Sequence, residues 1–352
     1  MQTETGACPM PGTLEHGARN SLDPKALAPI VAAYREPSHR RSLFELAVSL
    51  GPLILLWLAM LASLKVSYWL TLLLAIPTAA FLVRVFLIQH DCGHGSFFRR
   101  QTANNWLGRA LGVLTFTPYD YWRRAHALHH GTTGNLDRRG IGDIDTLTVA
   151  EYRARSPLGR FIYRLYRSPL VLFGIGPSFL FLLKQRLPFG MMRDGWMPWV
   201  STLVTNAVIA LVIAGLMMLI GVSEFLMIQL PVIALASSIG VWLFYVQHQF
   251  EDTVWAGNAE WNLQEAAFYG SSHYVLPGVL RWMTANIGVH HIHHLCSRIP
   301  FYRLPQVLRD RPELADVSRI TLRQSFATVR LTLWCETRQK LISFRQMRTG
   351  DQ

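Results

Sequence analysis

Charged residues and cysteines are both scarce in this chain of 352 residues. Lys, Arg, Asp and Glu together make up only 16% of it, and no CxxC pair occurs among the four cysteines, Cys8, Cys92, Cys296 and Cys335. A disulfide framework and a zinc ribbon are therefore excluded, and scattered thiols are typical of a reducing compartment. The first 25 residues have no basic stretch followed by an apolar one, so we expect no signal peptide.

The few charged residues are predominantly basic. The chain has 34 Lys and Arg residues against 22 Asp and Glu, which gives a formal net charge of +12. Such a balance can indicate nucleic-acid binding, but no nucleic-acid motif is present. Arginine-rich segments facing an anionic cytoplasmic leaflet explain the charge better, so we expect a membrane surface and no nucleic acid as partner.

Apolar runs, in contrast, are abundant, since 51% of the residues are hydrophobic. A helix needs roughly 20 apolar residues to cross a bilayer. Four segments meet this requirement, at residues 44–63, 67–88, 197–220 and 223–246. Lipid offers backbone groups no partner outside the segment, so all four are expected to be helices. Because short links join them in pairs, the sequence predicts an all-α membrane protein built on two transmembrane hairpins.

The remaining segments divide the chain further. Two weaker apolar stretches, 105–122 and 168–186, are interrupted by Gly, Pro or Arg, and we interpret them as interfacial or re-entrant. The predicted domains are a polar N-terminal lead (1–43), a membrane domain (44–335) and a C-terminal tail (336–352).

Arginines determine the expected topology. They are concentrated between the two predicted hairpins and after the last span, whereas neither hairpin turn carries comparable charge. The positive-inside rule therefore places both termini and the central segment in the cytoplasm. Arg84 is an exception because it lies inside the second span. Its side chain is expected to extend to the interface, or else to pair with a carboxylate or a lipid headgroup.

Histidines form three tight groups on this predicted cytoplasmic side. The stretch "HDCGH" spaces two of them at i, i+4, while "HALHH" and "NIGVHHIHHLCSRIP" each contain three at i, i+3, i+4. On a helix these offsets bring the rings to one face, which is the spacing needed to aim several imidazoles at one point. The eight residues are His90, His94, His126, His129, His130, His290, His293 and His294.

Three further histidines lie near these groups. His248, in "FYVQHQFED", follows the fourth span at the same level and is a candidate ninth ring, although an interfacial histidine bonded to the backbone is the alternative. His291 lies about 100° around the helix from His290 and is expected to point elsewhere. His273 is expected at the surface or beside the ligands.

Eight or nine imidazoles exceed the four ligands of a tetrahedral zinc and suit two metal ions, held in a cytoplasmic helical cap. Imidazole accepts zinc, copper, iron or nickel, so the ligand type alone does not choose the metal. An intramembrane metalloprotease, with Asp91 in the place of the general base, would leave two histidine groups unused. A metal transporter needs ligands near the bilayer midplane, where the third and fourth spans offer few. An oxygen-activating enzyme uses all three groups and is favoured.

Four stretches carry a specific family resemblance. "HDCGHGSFF", "HALHHGTTGNLDRRGIGD", "FYVQHQFED" and "NIGVHHIHHLCSRIPFYRLP" resemble the membrane fatty acid desaturase family, the bacterial acyl-lipid type most closely. The match covers roughly residues 45–335. It implies two non-haem iron ions, O2 as co-substrate, and a ferredoxin-type or cytochrome-type electron donor. The implied product is a cis double bond in a fatty acyl chain, which is expected to be lipid-linked, in a bacterial inner membrane.

The resemblance also assigns residues. The iron ligands would be the eight histidines of the three groups together with His248. Some family members place an asparagine four residues before that additional histidine, where it holds a metal-bound water. Here Phe244 occupies the place, and Asn286 is the candidate replacement. Independently of the resemblance, six acidic residues lie close in sequence to the histidine groups: Asp91, Asp143, Asp145, Glu251, Asp252 and Glu260. A surface charge is the alternative for each, but two or three are expected to bond the outer ring nitrogens of the ligands, with Asp91, Asp143 and Glu251 as the candidates beside Asn286.

The electron donor and the type of oxidation are the last points that the motifs address. The motif "HPGG", which would mark a fused cytochrome b5 domain, is absent, so we expect the electron donor to be a separate protein. The histidine groups do not distinguish desaturation from oxygen insertion, so a related di-iron hydroxylase or carotenoid ketolase is the alternative. The double-bond position, the acyl carrier and the oligomeric state are not encoded in these motifs.

Overall fold

The computed structural model describes residues 22–140 and 142–349, and these are mostly helical. The helices are α1 Pro24–Val31, α2 His39–Ser63, α3 Tyr68–His94, α4 Gln101–Leu114, α5 Tyr119–Thr132, α6 Val149–Ala154, α7 Pro157–Tyr166, α8 Gly176–Leu182, α9 Met197–Ile220, α10 Val222–His248, α11 Leu263–Tyr269, α12 Gly278–Met283, α13 His290–Leu295, α14 Leu304–Asp310, α15 Leu322–Thr328 and α16 Phe344–Thr349. A π-helical segment, Leu170–Ile175, precedes α8.

Four of these helices, α2, α3, α9 and α10, are long and apolar enough to cross a membrane, which confirms the four predicted spans. Three of them extend beyond the predicted limits, and the extension of α10 to His248 places that residue on the helix. Helix α2 begins at His39, within the predicted N-terminal lead, where the Ser38 side chain accepts a hydrogen bond from the Arg41 amide. Helix α3 continues to His94 and ends at Gly95, whose φ of 67° is the left-handed conformation that glycine favours.

The spans differ in how much of each is buried by protein. In the most apolar 18 residues, 56% of the α3 window is buried, against 6% for α9. Helix α3 packs against α2, α4 and α10, so it forms the centre of the bundle, whereas α9 leaves most of its surface for lipid. The helix that carries the first histidine group is therefore the most enclosed one.

The two weaker apolar stretches are interrupted helices. Residues 105–122 are divided between α4 and α5, with a break around Phe116, whose φ is 57°. Helix α7 and the segment Leu170–Arg186 meet at an angle of 53°, the geometry of a broken span or a re-entrant loop. This bend agrees with the re-entrant reading of residues 168–186.

The all-α prediction is incomplete, because the described residues include five short strands. They are β1 Leu147–Thr148, β2 His273–Val275, β3 Arg319–Thr321, β4 Leu333–Cys335 and β5 Lys340–Ile342. Strand β4 pairs with β1 in parallel and with β5 antiparallel, while β2 and β3 form a parallel pair. The predicted boundary at residue 335 thus separates two paired strands, and the predicted tail up to residue 349 packs on the domain.

A close backbone contact fixes the start of α13. The Tyr274 amide of β2 donates to the Gly288 carbonyl at 2.7 Å, and the His290 amide donates to the Ser272 carbonyl at 3.2 Å. A Cβ atom at Gly288 would lie 2.4 Å from the Tyr274 carbonyl oxygen, so only glycine permits this approach. Strand β2 therefore holds the backbone that leads into the third histidine group.

Candidate metal centre

Four helices bring the nine predicted rings into one cluster. Its members come from the end of α3, from α5, from the last residue of α10 and from α13. They divide into two groups, and within each group the candidate ligand atoms all lie within 4.8 Å of one another. The five-histidine group is His90, His94, His126, His130 and His293, and the four-histidine group is His129, His248, His290 and His294.

Helix geometry explains why the sequence groups are divided between two points. Residues at i and i+4 differ by about 40° around a helix, whereas i+3 lies about 60° to the other side. His126 and His130 accordingly share one group, while His129 belongs to the other. The same rule separates His293 from His290 and His294. The expectation that each stretch aims its rings at one point is thus replaced by an arrangement in which two stretches serve both groups.

In the five-histidine group, Nε2 atoms of different rings lie close together, as they do when lone pairs converge on one point. The Nε2 atom of His126 lies 3.0 Å from His94 Nε2 and 3.1 Å from His130 Nε2. A ring nitrogen offers either one lone pair or one N–H, so a single Nε2 does not satisfy two such neighbours by hydrogen bonding. A cation shared by these nitrogens would satisfy all of them.

The four-histidine group has the same character and is fully buried. The Nε2 atom of His248 lies 3.1 Å from His129 Nε2 and 3.0 Å from His290 Nε2. Within the described part of the chain, neither ring nitrogen of His294 has a hydrogen-bond partner, and the same holds for His293 of the five-histidine group. Buried polar atoms without a partner are costly, so one nitrogen of each ring fits a bound metal ion.

Burial keeps the rings in the metal-binding form. Desolvation, followed by repulsion from neighbouring histidines, holds the pKa of His290, His293 and His294 well below its ordinary value. The pKa values of His126 and His130 are lowered in the same way. The imidazoles are therefore neutral at physiological pH, and neutral imidazole is the species that binds metals.

Two outer ring nitrogens of the four-histidine group have acceptors in the protein. The Nδ1 atom of His129 lies 2.5 Å from Asp143 Oδ1, as the sequence predicts for that carboxylate. The Nδ1 atom of His248 lies 3.3 Å from the Gly270 carbonyl oxygen. Such contacts fix the tautomer and the ring orientation of a ligand.

The other three predicted partners are placed differently. Asp91 Oδ1 is 3.6 Å from His90 Nδ1, but its second oxygen accepts a hydrogen bond from the Phe301 amide at 2.8 Å. Asn286 has a φ of 54°, and this turn directs its side-chain amide to the Phe301 carbonyl at 3.3 Å, not to a histidine. Glu251 forms an exposed ion pair with Lys340 at 2.7 Å, because β5 lies beside it, so its predicted contact with a ligand is not formed.

Aromatic rings border the cluster. The Trp122 ring stacks on His126 at a centroid distance of 4.7 Å, and Phe86 lies 5.4 Å from Trp122. Phe244 lies 5.0 Å from the ring of His129 and 5.2 Å from that of His248. These side chains offer an apolar boundary to both groups.

The other two histidines near the cluster, His291 and His273, lie outside both groups. His291 is buried, and its Nε2 donates to the Leu314 carbonyl at 3.0 Å, in agreement with the prediction that it points elsewhere. Burial lowers the pKa of His291 to about 3. His273 is half-buried and bonds the Ala315 carbonyl through Nδ1 at 2.5 Å. Both rings therefore serve the packing of the segments around α13.

For Arg84, the alternative of a carboxylate partner is the one that the structure shows, although sequence reasoning did not name the partner. Arg84 is 1% exposed and pairs with Glu45 of α2, so it does not extend to the interface. A signal was available, since Glu45 is the one charged residue of the predicted span 44–63 and Arg84 is the one in 67–88. Two opposite charges in adjacent apolar segments indicate a pair.

Fold and site together define a membrane protein with a candidate dinuclear metal centre made of histidine. The sequence model of the family described as "Fatty acid desaturase" matches residues 67–326. The chain is 42% identical over 324 residues to the fatty acid desaturase of Bacillus subtilis, covering 92% of each chain. It therefore belongs to the fatty acid desaturase family and is an oxidoreductase, which confirms the resemblance and argues against the metalloprotease and transporter alternatives.

More distant relatives carry more specific names. The chain is 29% identical over 230 residues to the sn-1 acyl-lipid omega-3 desaturase (ferredoxin) of Synechocystis sp., covering 62% of this chain and 61% of the relative. It is 27% identical over 237 residues to the sn-1 oleoyl-lipid 12-desaturase of the same organism, covering 64% of each.

Proposed function

We propose that this chain is an oxygen-dependent and electron-dependent acyl-lipid desaturase that introduces a cis double bond into a lipid-linked fatty acyl chain. The observation that carries the proposal is the convergence of nine ring nitrogens on two points at the ends of membrane-length helices. Membership of the fatty acid desaturase family supports a fatty acyl substrate. The names of the cyanobacterial relatives support a lipid-linked one.

Two iron ions are the proposed cofactor, one in each histidine group. The five-histidine group would hold one ion and the four-histidine group the other, through ring nitrogens. When bound, the iron pair would supply the redox chemistry by which dioxygen, with two electrons and two protons, takes one hydrogen from each of two adjacent methylenes and is reduced to two water molecules.

The chain's own residues prepare this site. Asp143 and the Gly270 carbonyl hold the rings of His129 and His248 in fixed orientations. Phe244 and Trp122 cover neighbouring rings with apolar surface, which keeps water from the reacting carbons and offers contact to an acyl chain. Preorganised ligands and a dry boundary are what the oxidation of an unactivated C–H bond requires.

The proposed topology places the cluster on the cytoplasmic side of a bacterial inner membrane, with both termini on that side. Helices α3 and α10 each end at a histidine of the cluster, at His94 and His248. Arginines follow closely on the first of these ends, at Arg99 and Arg100. The positive-inside rule supports the assignment. A separate ferredoxin-type or cytochrome-type protein is the proposed electron donor, and the name of one relative includes ferredoxin.

Analysis of fatty acid methyl esters tests the proposal. A host without unsaturated fatty acids would express this chain, or its His293→Ala variant as control, and its lipids would be compared with those of the empty host. We expect a new monoene or diene that is absent with the variant, and its double-bond position would define the regioselectivity. Hydroxylated acyl chains, or an unchanged profile despite expressed and iron-loaded protein, would overturn the desaturase assignment.

A further inference from the structure

A charged pair is buried between the first two spans. Arg84 of α3 forms an ion pair with Glu45 of α2, and the two side chains are 1% and 2% exposed. The Arg84 Nε also donates to Ser49 Oγ at 3.0 Å. The other oxygen of Glu45 lies 2.7 Å from Arg41, whose side chain is 51% exposed. Ionisable groups within spans are costly and commonly functional, so this pair requires an explanation.

The remaining nitrogen of the guanidinium group, Nη1, contacts a residue outside the two spans. It donates to the carbonyl oxygen of Trp282, the penultimate residue of α12. The Arg84 guanidinium carbon also lies 4.0 Å from the Trp282 ring centroid and 5.5 Å from the Phe301 ring centroid. Trp282 precedes α13 and Phe301 follows it, so one cation of α3 contacts both sides of the segment that carries the third histidine group.

A second contact between α3 and this segment comes from Asp91, whose carboxylate accepts the hydrogen bond from the Phe301 amide at 2.8 Å. Between Trp282 and α13 the chain turns through Ala285 and Asn286, with φ values of 47° and 54°. The Ala285 amide donates to the Trp282 carbonyl at 3.0 Å, so the carbonyl that Arg84 contacts is bonded to the first residue of this turn. Both ends of the loop around α13 are thus fixed to the helix that carries the first histidine group.

Helix α13 supplies ligands to both groups, since His293 belongs to one and His290 to the other. We propose that Arg84, with Glu45 as its counter-charge, is a positioning residue that sets α13 against α3 so that both groups are completed. This inference rests on the proposed function, in which the histidines hold iron. Arginine suits the role because its planar group donates in three directions at once, which the lysine ammonium on its flexible stem does not reproduce.

Four variants, two at Arg84 and two controls, separate positioning from general stabilisation. Arg84→Lys retains the charge but loses the three-way contact. The double change Glu45→Leu with Arg84→Met removes both charges and keeps apolar volume, so we expect it to unfold thermally near the wild-type temperature. Arg164→Lys is a control for the same substitution at an exposed arginine, since Arg164 donates to the Tyr152 hydroxyl and lies 5.1 Å from the Phe344 ring, beside a different hydrophobic core. Arg41→Gln removes only the exposed partner of Glu45.

The first readout is hydrogen exchange of residues 284–301 in the metal-free protein. For Arg84→Lys and for the double variant we expect exchange in this segment to rise at least about 10-fold, while Arg164→Lys and Arg41→Gln leave it unchanged. The second readout is iron bound per chain after anaerobic loading. We expect it to fall from about two ions to one or fewer in the two Arg84 variants and to stay at the wild-type level in both controls.

Unchanged exchange in both Arg84 variants would overturn the inference, and so would a double variant with wild-type iron content. An equal rise in exchange with Arg164→Lys would also overturn it, since the effect would then be general loosening. A wild-type protein that binds no iron would contradict the proposed function instead, while the exchange measurement would still decide the role of Arg84.

Discussion

The two histidine groups differ in how the protein surrounds them. In the four-histidine group every ring is buried, and two rings are oriented by the Asp143 carboxylate and the Gly270 carbonyl. In the five-histidine group, His94, His126 and His130 are only half-buried. Its nearest carboxylate, Asp91, is 3.6 Å from His90 and bonds the Phe301 amide instead. One group is therefore preorganised by its surroundings, whereas the other depends more on the metal itself.

Removing one ring from each group should give the largest effects. His248→Ala breaks the four-histidine group and His126→Ala breaks the five-histidine group. Because both ions are needed for the proposed reaction, we expect each variant to lose desaturation at least about 100-fold, beyond the range for an indirect ligand partner. Fatty acid methyl esters of the expressing host measure the loss. Full activity in either variant would show that the corresponding group is dispensable.

Asp143 tests whether preorganisation matters. Asp143→Ala leaves the Nδ1 of His129 without its acceptor, and we expect iron affinity and activity to fall about 10-fold to 100-fold. The loss should be confined to the four-histidine group, which a titration with iron under anaerobic conditions would show as one weakened and one unchanged site. Equal weakening of both sites would contradict the difference between the groups.

Gly288 tests the position of α13, the helix that supplies ligands to both histidine groups. A Cβ atom there would meet the Tyr274 carbonyl at 2.4 Å, so Gly288→Ala should shift α13 and lower the free energy of unfolding by about 1–3 kcal/mol. Thermal unfolding in detergent measures the change, and both iron sites should weaken together. Gly51→Ala is the matched control, because its Cβ would have nothing within 4 Å. A Gly288→Ala variant as stable as wild type would show that this contact is not required.

Glu251 should give the smallest effect. It lies three residues after His248 in sequence but pairs with Lys340 at the surface. Exposed ion pairs contribute about 0–1 kcal/mol, so Glu251→Gln should change stability by no more than that and should leave iron content and product unchanged. A large loss of iron in this variant would indicate that Glu251 acts on the ligands after all.

Part of this arrangement could be predicted from the sequence. The four spans follow from apolar length, eight of the nine rings from helical spacing, and His248 from its position just after the fourth span. The strands could not be predicted, because segments of two or three residues form only where distant parts of the chain meet. Nearness in sequence also did not distinguish Asp143 from Glu251. Asp143 contacts the ring of His129, whereas Glu251 pairs with Lys340 of β5. The Arg84–Glu45 pair could be predicted from opposite charges in adjacent spans, but the contact of Arg84 with Trp282 depends on tertiary folding.

Iron stoichiometry, with spectroscopy that distinguishes iron sites, tests the central claim most directly. The wild-type protein would be loaded anaerobically and compared with His248→Ala and His126→Ala. We predict two iron ions per chain in unlike environments, with each variant losing a different one of the two signals. A single iron site in the wild-type protein, or loss of the same signal in both variants, would contradict an account based on two histidine groups.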